Sequence, residues 1–286
     1  MSMQLYRKII QDISDMVRIK GQRITRLHLY KDGEPLLNRY FSLMIALAKK
    51  AEISQSVETT TNGALLTSDV VNDILNSGLD VIRVSIAHTE ESVYASFSKG
   101  STTYKQIREN VNLLFTKKTE IGNPLHVHVK IIDCNLSSEQ KEKFKQDFSS
   151  ISDSWNIDGV MGWSSSNLHD LTLGSTKSVG IDGVTPKQQR NVCPEPFTKL
   201  AINHDGAVSV CCVDWTHSTV VGDITHQTVH DVWIGERLKQ FRLQHLNGNR
   251  LMLPACSSCD YISGFPDFTN LDEHTFELLP LFENAT

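Results

Sequence analysis

Four cysteines in the last third of the chain constrain its fold more than any other feature. They are Cys193, Cys211, Cys256 and Cys259, spaced C-x17-C, then 44 residues, then C-x2-C. The C-x2-C pair supplies two thiols from one turn, while Cys193 and Cys211 arrive on separate segments, so three stretches of chain must converge on one point. A four-sulfur cage suits a soft metal centre, either an iron–sulfur cluster or tetrahedral zinc. Cys212 is the rival of Cys211: with 207–212 read as a strand, the two side chains point to opposite faces and one of them enters the cage. Cys134 reads as a plain buried thiol.

Clustered cysteines read as metal ligands where the compartment is reducing. Residues 1–8 lack the apolar core of a signal peptide, and no stretch approaches the roughly 20 apolar residues needed to span a bilayer. A cytoplasmic protein with no membrane partner is expected. A net charge of -5 with no basic run gives nucleic-acid binding no electrostatic support. The 286 residues, 40% hydrophobic, suffice for one large domain or two smaller ones.

Along the first half, helix and strand alternate. Leu5, Ile9, Ile13 and Met16 recur at helical spacing, so the chain opens in an amphipathic helix. Strands are expected at 24–30, 55–60, 81–86, 126–132 and 157–163, with helices at 40–50, 68–76, 104–118 and 138–150. Thr67 or Ser68 caps the second of these and Gly78 ends it. Alternation of this kind argues for a parallel sheet or an α/β barrel. Such a series usually begins with a strand, and this one begins with a helix. Residues 164–192, rich in Ser and Gly, read as a linker or a long functional loop. Beyond them, 199–203 and 207–212 flank Asp205-Gly206, a hairpin signal. A helix is expected over 229–246 with Trp233, Leu238, Phe241 and Leu246 as candidate buried positions, and 263–286 is a tail.

The strands sort polar from apolar side chains. His126, His128 and Lys130 share one face, opposite Val127, Val129 and Ile131; Arg83 and Ser85 oppose Ile82, Val84 and Ile86; Arg26, His28 and Tyr30 oppose Leu27 and Leu29; Glu58 and Thr60 share a face. A closed barrel of the common kind fills its interior with branched apolar residues. Here the polar faces are expected inward, around a wet or ligand-filled lumen; the alternative is polar residues solvated at a sheet edge. His126, His128 and Lys130 are candidate substrate contacts, with a structural polar role as the rival.

Gly33-Glu34-Pro35 follows the first strand, Thr60-Thr61-Asn62-Gly63 ends the second, and Ser85 lies late in the third. All three fall at the carboxyl-terminal rim, where α/β proteins bind ligands. With the cysteine pattern following, the chain resembles the radical S-adenosylmethionine superfamily with a carboxyl-terminal SPASM or twitch-type iron–sulfur domain, over about residues 3–262. LHLYKDGEPLL is similar to the family's glycine-rich GGEP region, ETTTNGALLT to its TNG strand end, and VIRVSIA to the strand whose serine lies near the cofactor. CPEPFTKLAINHDGAVSVCCVDW, VHDVWIGERLKQFRLQHL and PACSSC are similar to the auxiliary-cluster domain. GWSSSNLHDLTLG resembles a loop of members associated with polysaccharide biosynthesis.

The resemblance implies a partial (β/α)6 barrel over 1–163 lacking its first strand, a linker or loop over 164–192, and a SPASM/twitch domain of β-hairpin plus helix over 193–262. It implies an auxiliary [4Fe–4S] cluster on Cys193, Cys211, Cys256 and Cys259, with Cys211 preferred over Cys212 on the family's spacing. It implies S-adenosyl-L-methionine contacts from Gly33, Glu34, Pro35, Thr60, Asn62 and Ser85, and an oxidoreductase-type reaction in which a 5′-deoxyadenosyl radical takes hydrogen from a small-molecule, sugar or peptide substrate. An electron donor such as a flavodoxin or ferredoxin is implied as partner. Two departures stand out. Lys31 and Asp32 replace the usual glycines before Gly33, and the defining C-x3-C-x2-C motif is absent, residues 1–192 holding Cys134 alone. LYRKIIQDISDM resembles the helix that follows the cysteine loop, so an amino-terminal truncation is expected, with a degenerate, non-catalytic scaffold as the rival. Either way the chain as it stands is expected to be inactive, with weak or absent cofactor binding in its first half.

Overall fold

The computed structural model describes residues 1–97, 102–159, 190–257 and 259–284. The chain divides into two compact units, one of residues 13–158 and one joining residues 1–12 to 159–286. Helix α1 (Met3–Lys20) contributes to both, and Tyr6, Ile9, Ile10 and Ile13 are buried along its apolar stripe.

Unit 13–158 is built on five parallel strands in the order β1-β2-β3-β4-β5: β1 (Ile24–His28), β2 (Ser54–Thr61), β3 (Val81–Ile86), β4 (His126–Ile132) and β5 (Ser154–Asp158). Between them run α2 (Phe41–Lys50), α3 (Ser68–Ser77), α4 (Glu91–Phe97), α5 (Tyr104–Glu120) and α6 (Ser138–Phe148). Local chemistry sets the boundaries. Thr67 and Thr103 cap α3 and α5 with their hydroxyls, Ser137 and Gln140 form a capping box on α6, and Gly78 ends α3 at φ 82. Alternation then sorts the faces. Ile82, Val84, Ile86, Val127, Val129 and Ile131 are at most 3% exposed, each burial contributing about 1.5–3 kcal/mol. Arg83, Ser85, His128 and Lys130 share the opposite, half-buried face.

The parallel α/β architecture expected from the sequence is the one observed, with shifts in detail. β1 stops at His28, leaving Tyr30 beyond the strand with its ring edge-on to His28 at 5.5 Å. Among the described residues β1 pairs with β2 alone, and Thr25, Arg26 and His28 are exposed, as at an edge. β5 begins three residues before the expected 157–163, because Asp153 anchors its start: the carboxylate accepts from Val127 N at 2.7 Å and from Lys118 Nζ at 2.6 Å. Helix α4 was not foreseen. Residues 160–163, most of the expected linker and the GWSSSNLHDLTLG loop lie outside the described residues.

The other unit carries a three-stranded antiparallel sheet, β6 (Ala201–Ile202), β7 (Ala207–Ser209) and β8 (Val220–Asp223). The hairpin at Asp205-Gly206 is as expected, with Gly206 at φ 102; β8 adds a strand that the sequence did not suggest. The single helix expected over 229–246 is two, α8 (Val229–Ile234) and α9 (Glu236–Leu246). Gly235 is extended at ψ 152, and a Cβ there would lie 2.7 Å from Asp231 O, so the break needs glycine. Leu238 and Leu246 are buried as expected, Trp233 and Phe241 half-buried. The start of α1 packs here: Lys8 Nζ donates to Gln227 O at 2.7 Å and Asp12 accepts from Val229 N at 3.2 Å. The tail is ordered into short 3-10 turns and α10 (Thr275–Glu283). Among the described residues, no helix is long and apolar enough to cross a membrane.

Candidate metal centre and cofactor rim

The four cysteines arrive on three different pieces of local structure. Cys193 precedes the short helix α7 (Glu195–Thr198), where Pro194 and Pro196 turn the chain. The stretch before it is pinned by the tail, Asp272 accepting from Val192 N at 2.7 Å and Asn191 N at 2.9 Å. Cys211 follows β7 in a turn. Cys256 and Cys259 flank one tight turn closed by Cys259 N donating to Cys256 O at 3.3 Å. Arg250 braces that turn, its guanidinium donating to Cys256 O at 2.6 Å and to Cys259 O at 3.5 Å.

All four side chains line one cavity, closed otherwise by groups such as Val210, Phe241, His245, Ala255 and Ile262. Burial raises the Cys193 thiol pKa, and Glu195 and the neighbouring thiols raise it further. Burial and then Cys259 push Cys256 up to about 12. Hydrogen bonding to Cys212 and burial raise Cys211. A pocket of crowded thiols resists carrying negative charge until a cation shares it, which is the behaviour of a metal cage. The donor set therefore fits a group that takes four thiolates.

Cys212 is not among the cavity residues. Its Sγ lies 3.8 Å from Glu195 Oε2 and 4.0 Å from Tyr261 Oη. The strand-alternation argument for choosing between it and Cys211 fails, because β7 ends at Ser209 and both cysteines follow in a turn. Their sulfurs and a Glu195 oxygen lie within 4.8 Å of one another. Glu195, 1% exposed, is paired by Lys199 Nζ at 2.7 Å.

The sequence reading missed several residues here. Asp214 lines the same cavity. It is a buried loop staple, its carboxylate accepting from Ser218 N at 3.0 Å and Oγ at 2.9 Å, and from Thr219 N at 2.7 Å and Oγ1 at 2.6 Å. Arg242 and His245 are buried on the same face of α9 as Leu238 and Leu246. Polar residues on an apolar helical stripe were the available signal. Burial depresses both, Arg242 to about 10 and His245 to about 4. The Arg242 guanidinium lies 4.2 Å over the Trp233 ring.

At the strand ends of the parallel sheet, the expected cofactor residues come together in part. Glu34 is an anchor: its carboxylate accepts from Thr61 Oγ1 at 2.6 Å, Asn62 N at 2.8 Å and Leu36 N at 3.1 Å, tying the loop after β1 to the end of β2. Gly33 sits at φ 93, where a Cβ would meet nothing within 4 Å, so its backbone is open to a ligand. Pro35 starts a 3-10 turn. Gly63, at φ 75, packs against β3, and a Cβ would lie 2.9 Å from Val84 Cγ1; Asn110 Nδ2 donates to its carbonyl at 2.9 Å. Thr60 is in register with Arg83, and Ser85 with Lys130.

Below the rim, the polar face is organised around Glu58, which is 3% exposed. Arg83 Nη1 lies at 2.7 Å, Arg26 Nε at 3.4 Å and His28 Nδ1 at 3.8 Å from it. Burial works to raise this carboxyl, but the hydrogen bonds from Arg83 and Ser56 outweigh it and hold it below the ordinary range. His126 and His128 both contact Ser154 Oγ at 2.8 Å, and Lys130 Nζ donates to Asp158 at 3.1 Å. Burial and the Arg83 charge keep the His128 pKa below its usual value.

Residues 193–260 match the SPASM family, an iron–sulfur cluster-binding domain. No curated protein matches the chain by sequence. Among solved structures, the chain is similar to BtrN in complex with AdoMet and 2-DOIA, at 17% identity and TM-score 0.53 over 91% of this chain and 80% of that one. It is similar to Streptococcus suis SuiB bound to S-adenosylmethionine, at 14% identity and TM-score 0.60, covering 90% of this chain and 64% of SuiB. It is similar to anSMEcpe with bound AdoMet, at 10% identity and TM-score 0.59 over 96% and 86%. At such identities the likeness is one of fold.

Proposed function

We propose that this radical S-adenosylmethionine/SPASM-type protein holds a [4Fe–4S] auxiliary cluster on Cys193, Cys211, Cys256 and Cys259. The observation that carries the reading is that these four thiols line one cavity within the segment matched to an iron–sulfur cluster-binding domain. Spacing favours a cluster over a single zinc. Zn–S bonds of about 2.3 Å in a tetrahedron put sulfurs about 3.8 Å apart. Among the described residues, the group of metal-capable atoms mutually within 4.8 Å is Glu195, Cys211 and Cys212, and no three of the four cavity cysteines lie that close to one another. Cys211 is proposed as the ligand and Cys212 as its neighbour against Glu195 and Tyr261.

At the sheet, Gly33, Glu34, Pro35, Thr60, Asn62 and Ser85 are proposed to form an S-adenosyl-L-methionine rim. When bound beside a reduced cluster, that cofactor supplies a radical that abstracts hydrogen from a substrate. This chain's residues would position it: Gly33 offers an unobstructed backbone, and Glu34 fixes the loop against β2. The face of Arg83, His128 and Lys130 would meet a polar small-molecule, sugar or peptide substrate. Residues 1–192 hold one cysteine, Cys134, so they offer no three-thiolate site for a cluster beside that rim. We therefore propose that this chain by itself does not cleave the cofactor. The second reading, favoured by that same cysteine count, is an iron–sulfur scaffold derived from the same family. Anaerobic reconstitution with excess S-adenosylmethionine and reductant tests both points. Bound iron with no 5′-deoxyadenosine formed is expected, and 5′-deoxyadenosine production would overturn the proposed inactivity.

A further inference from the structure

We propose that His245 donates a hydrogen bond from Nε2–H to the group held by the four cysteines, and so raises its reduction potential. The inference rests on the cage reading above. His245 is 0% exposed and lines the cavity with all four cysteines; it is the one histidine among the lining residues described. Its Nδ1 accepts from Cys193 N–H at 3.3 Å, which places the ring hydrogen of the neutral imidazole on Nε2. Nε2 is buried and has no hydrogen-bond partner among the described residues. Native proteins leave few buried donors unsatisfied, and an orphan at a cofactor cavity points to a partner in that cavity.

The ring is held for the task. The Phe241 ring lies 5.3 Å away, tilted by 30°, on the preceding turn of α9. The Cys193 amide fixes the other nitrogen, so one residue both shapes the first ligand's backbone and faces the bound group. Arg250 also lines the cavity, but its guanidinium is turned to the carbonyls of Cys256 and Cys259 and braces their turn. Hydrogen bonds to thiolate or sulfide sulfur stabilise the more negative, reduced state and raise the potential. His245 is thus a positioning and tuning residue.

The test uses the full chain, reconstituted anaerobically and reduced with dithionite, containing 15N-labelled histidine. Pulsed EPR of the reduced wild type should show coupling from one imidazole nitrogen and from one proton that exchanges in D2O. In His245→Phe both couplings should vanish while iron content is kept. The ratio of reduced to oxidised protein at a fixed potential should fall about tenfold, a shift of about 59 mV for one electron. His245→Gln, which keeps an amide donor and a carbonyl acceptor, should recover part of the shift. A wild type that binds iron but shows no imidazole coupling overturns the proposal and leaves the cage reading standing, as does an unchanged potential in a loaded His245→Phe. If His245→Phe does not load, the labelled wild-type spectrum decides alone. A wild type that binds no iron overturns the cage reading, and the proposal falls with it.

Discussion

Replacing Asp214 with alanine should loosen the loop that delivers Cys211. The carboxylate is 1% exposed and accepts four hydrogen bonds from Ser218 and Thr219. Thr219 is itself 7% exposed, and its hydroxyl also accepts from Val210 N at 3.2 Å, so the staple reaches back across Cys211. The exposed Ser218 regains water when the carboxylate goes. The two donors of Thr219 do not, and bonds to a charged group contribute about 1.5–3 kcal/mol each. The expected loss is about 3–5 kcal/mol, a large share of the usual 5–15 kcal/mol for a domain. Asp214→Asn, which keeps one acceptor oxygen, should lose about half of that. Urea unfolding of the metal-free protein measures the total. Hydrogen exchange localises it: amides of 210–219 should exchange faster by about 100-fold or more. The pH dependence follows. Burial raises the Asp214 carboxyl pKa, but the bonds from Thr219 and Ser218 outweigh it and the net value is depressed. A carboxyl that binds its proton less tightly when folded gives stability that is full above its unfolded pKa of about 3.9 and lost as pH falls through the lower folded value. Asp214→Ala should flatten that acid limb. A variant within about 0.5 kcal/mol of wild type, with unchanged exchange over 210–219, would refute the reasoning.

Lys199→Met should cost about 1–3 kcal/mol by leaving the buried Glu195 carboxylate unpaired, and adding Glu195→Gln should restore most of it in thermal unfolding. Glu34→Ala should lower stability by about 1–3 kcal/mol and speed exchange at Asn62 and Leu36, whose amides it holds. Asp147 and Asp153 are depressed because Lys143, Tyr104 and Arg108 in one case, and Lys118 with the Val127 amide in the other, outweigh burial. Unit 13–158 should therefore lose stability below about pH 4, and Asp153→Asn should shrink that loss in an acid titration followed by circular dichroism.

Much of the fold was legible because periodicity and capping agree. Strands 81–86 and 126–132 fall where alternation put them, and Thr67, Gly78 and Asp205-Gly206 act as written. Tertiary context decided the rest. The chain breaks at Gly235 where its neighbours' pattern would continue the helix, and only glycine fits the break, since a Cβ there would meet the Asp231 carbonyl. β8 is only four residues, VVGD, and takes its conformation from pairing with β7. Cys211 and Cys212 looked separable by strand alternation, but the strand ends two residues earlier. Glu34 reads from sequence as a ligand contact, but in the fold its carboxylate is turned to Thr61 and Asn62. His245 is 14 residues before Cys259 in sequence, on a helix with a polar neighbour at Arg242. Its place in the cavity depends on how α9 packs, which no local pattern records.

The central claim is that sulfur atoms of Cys193, Cys211, Cys256 and Cys259 hold an iron–sulfur cluster. Iron and acid-labile sulfide analysis of the anaerobically reconstituted chain, run beside single Cys-to-Ser variants, tests it most directly. About four irons and four sulfides per brown chain are expected, falling sharply in Cys211→Ser and remaining near wild type in Cys212→Ser. A colourless protein holding zinc, or iron retained in Cys211→Ser and lost in Cys212→Ser, would contradict it.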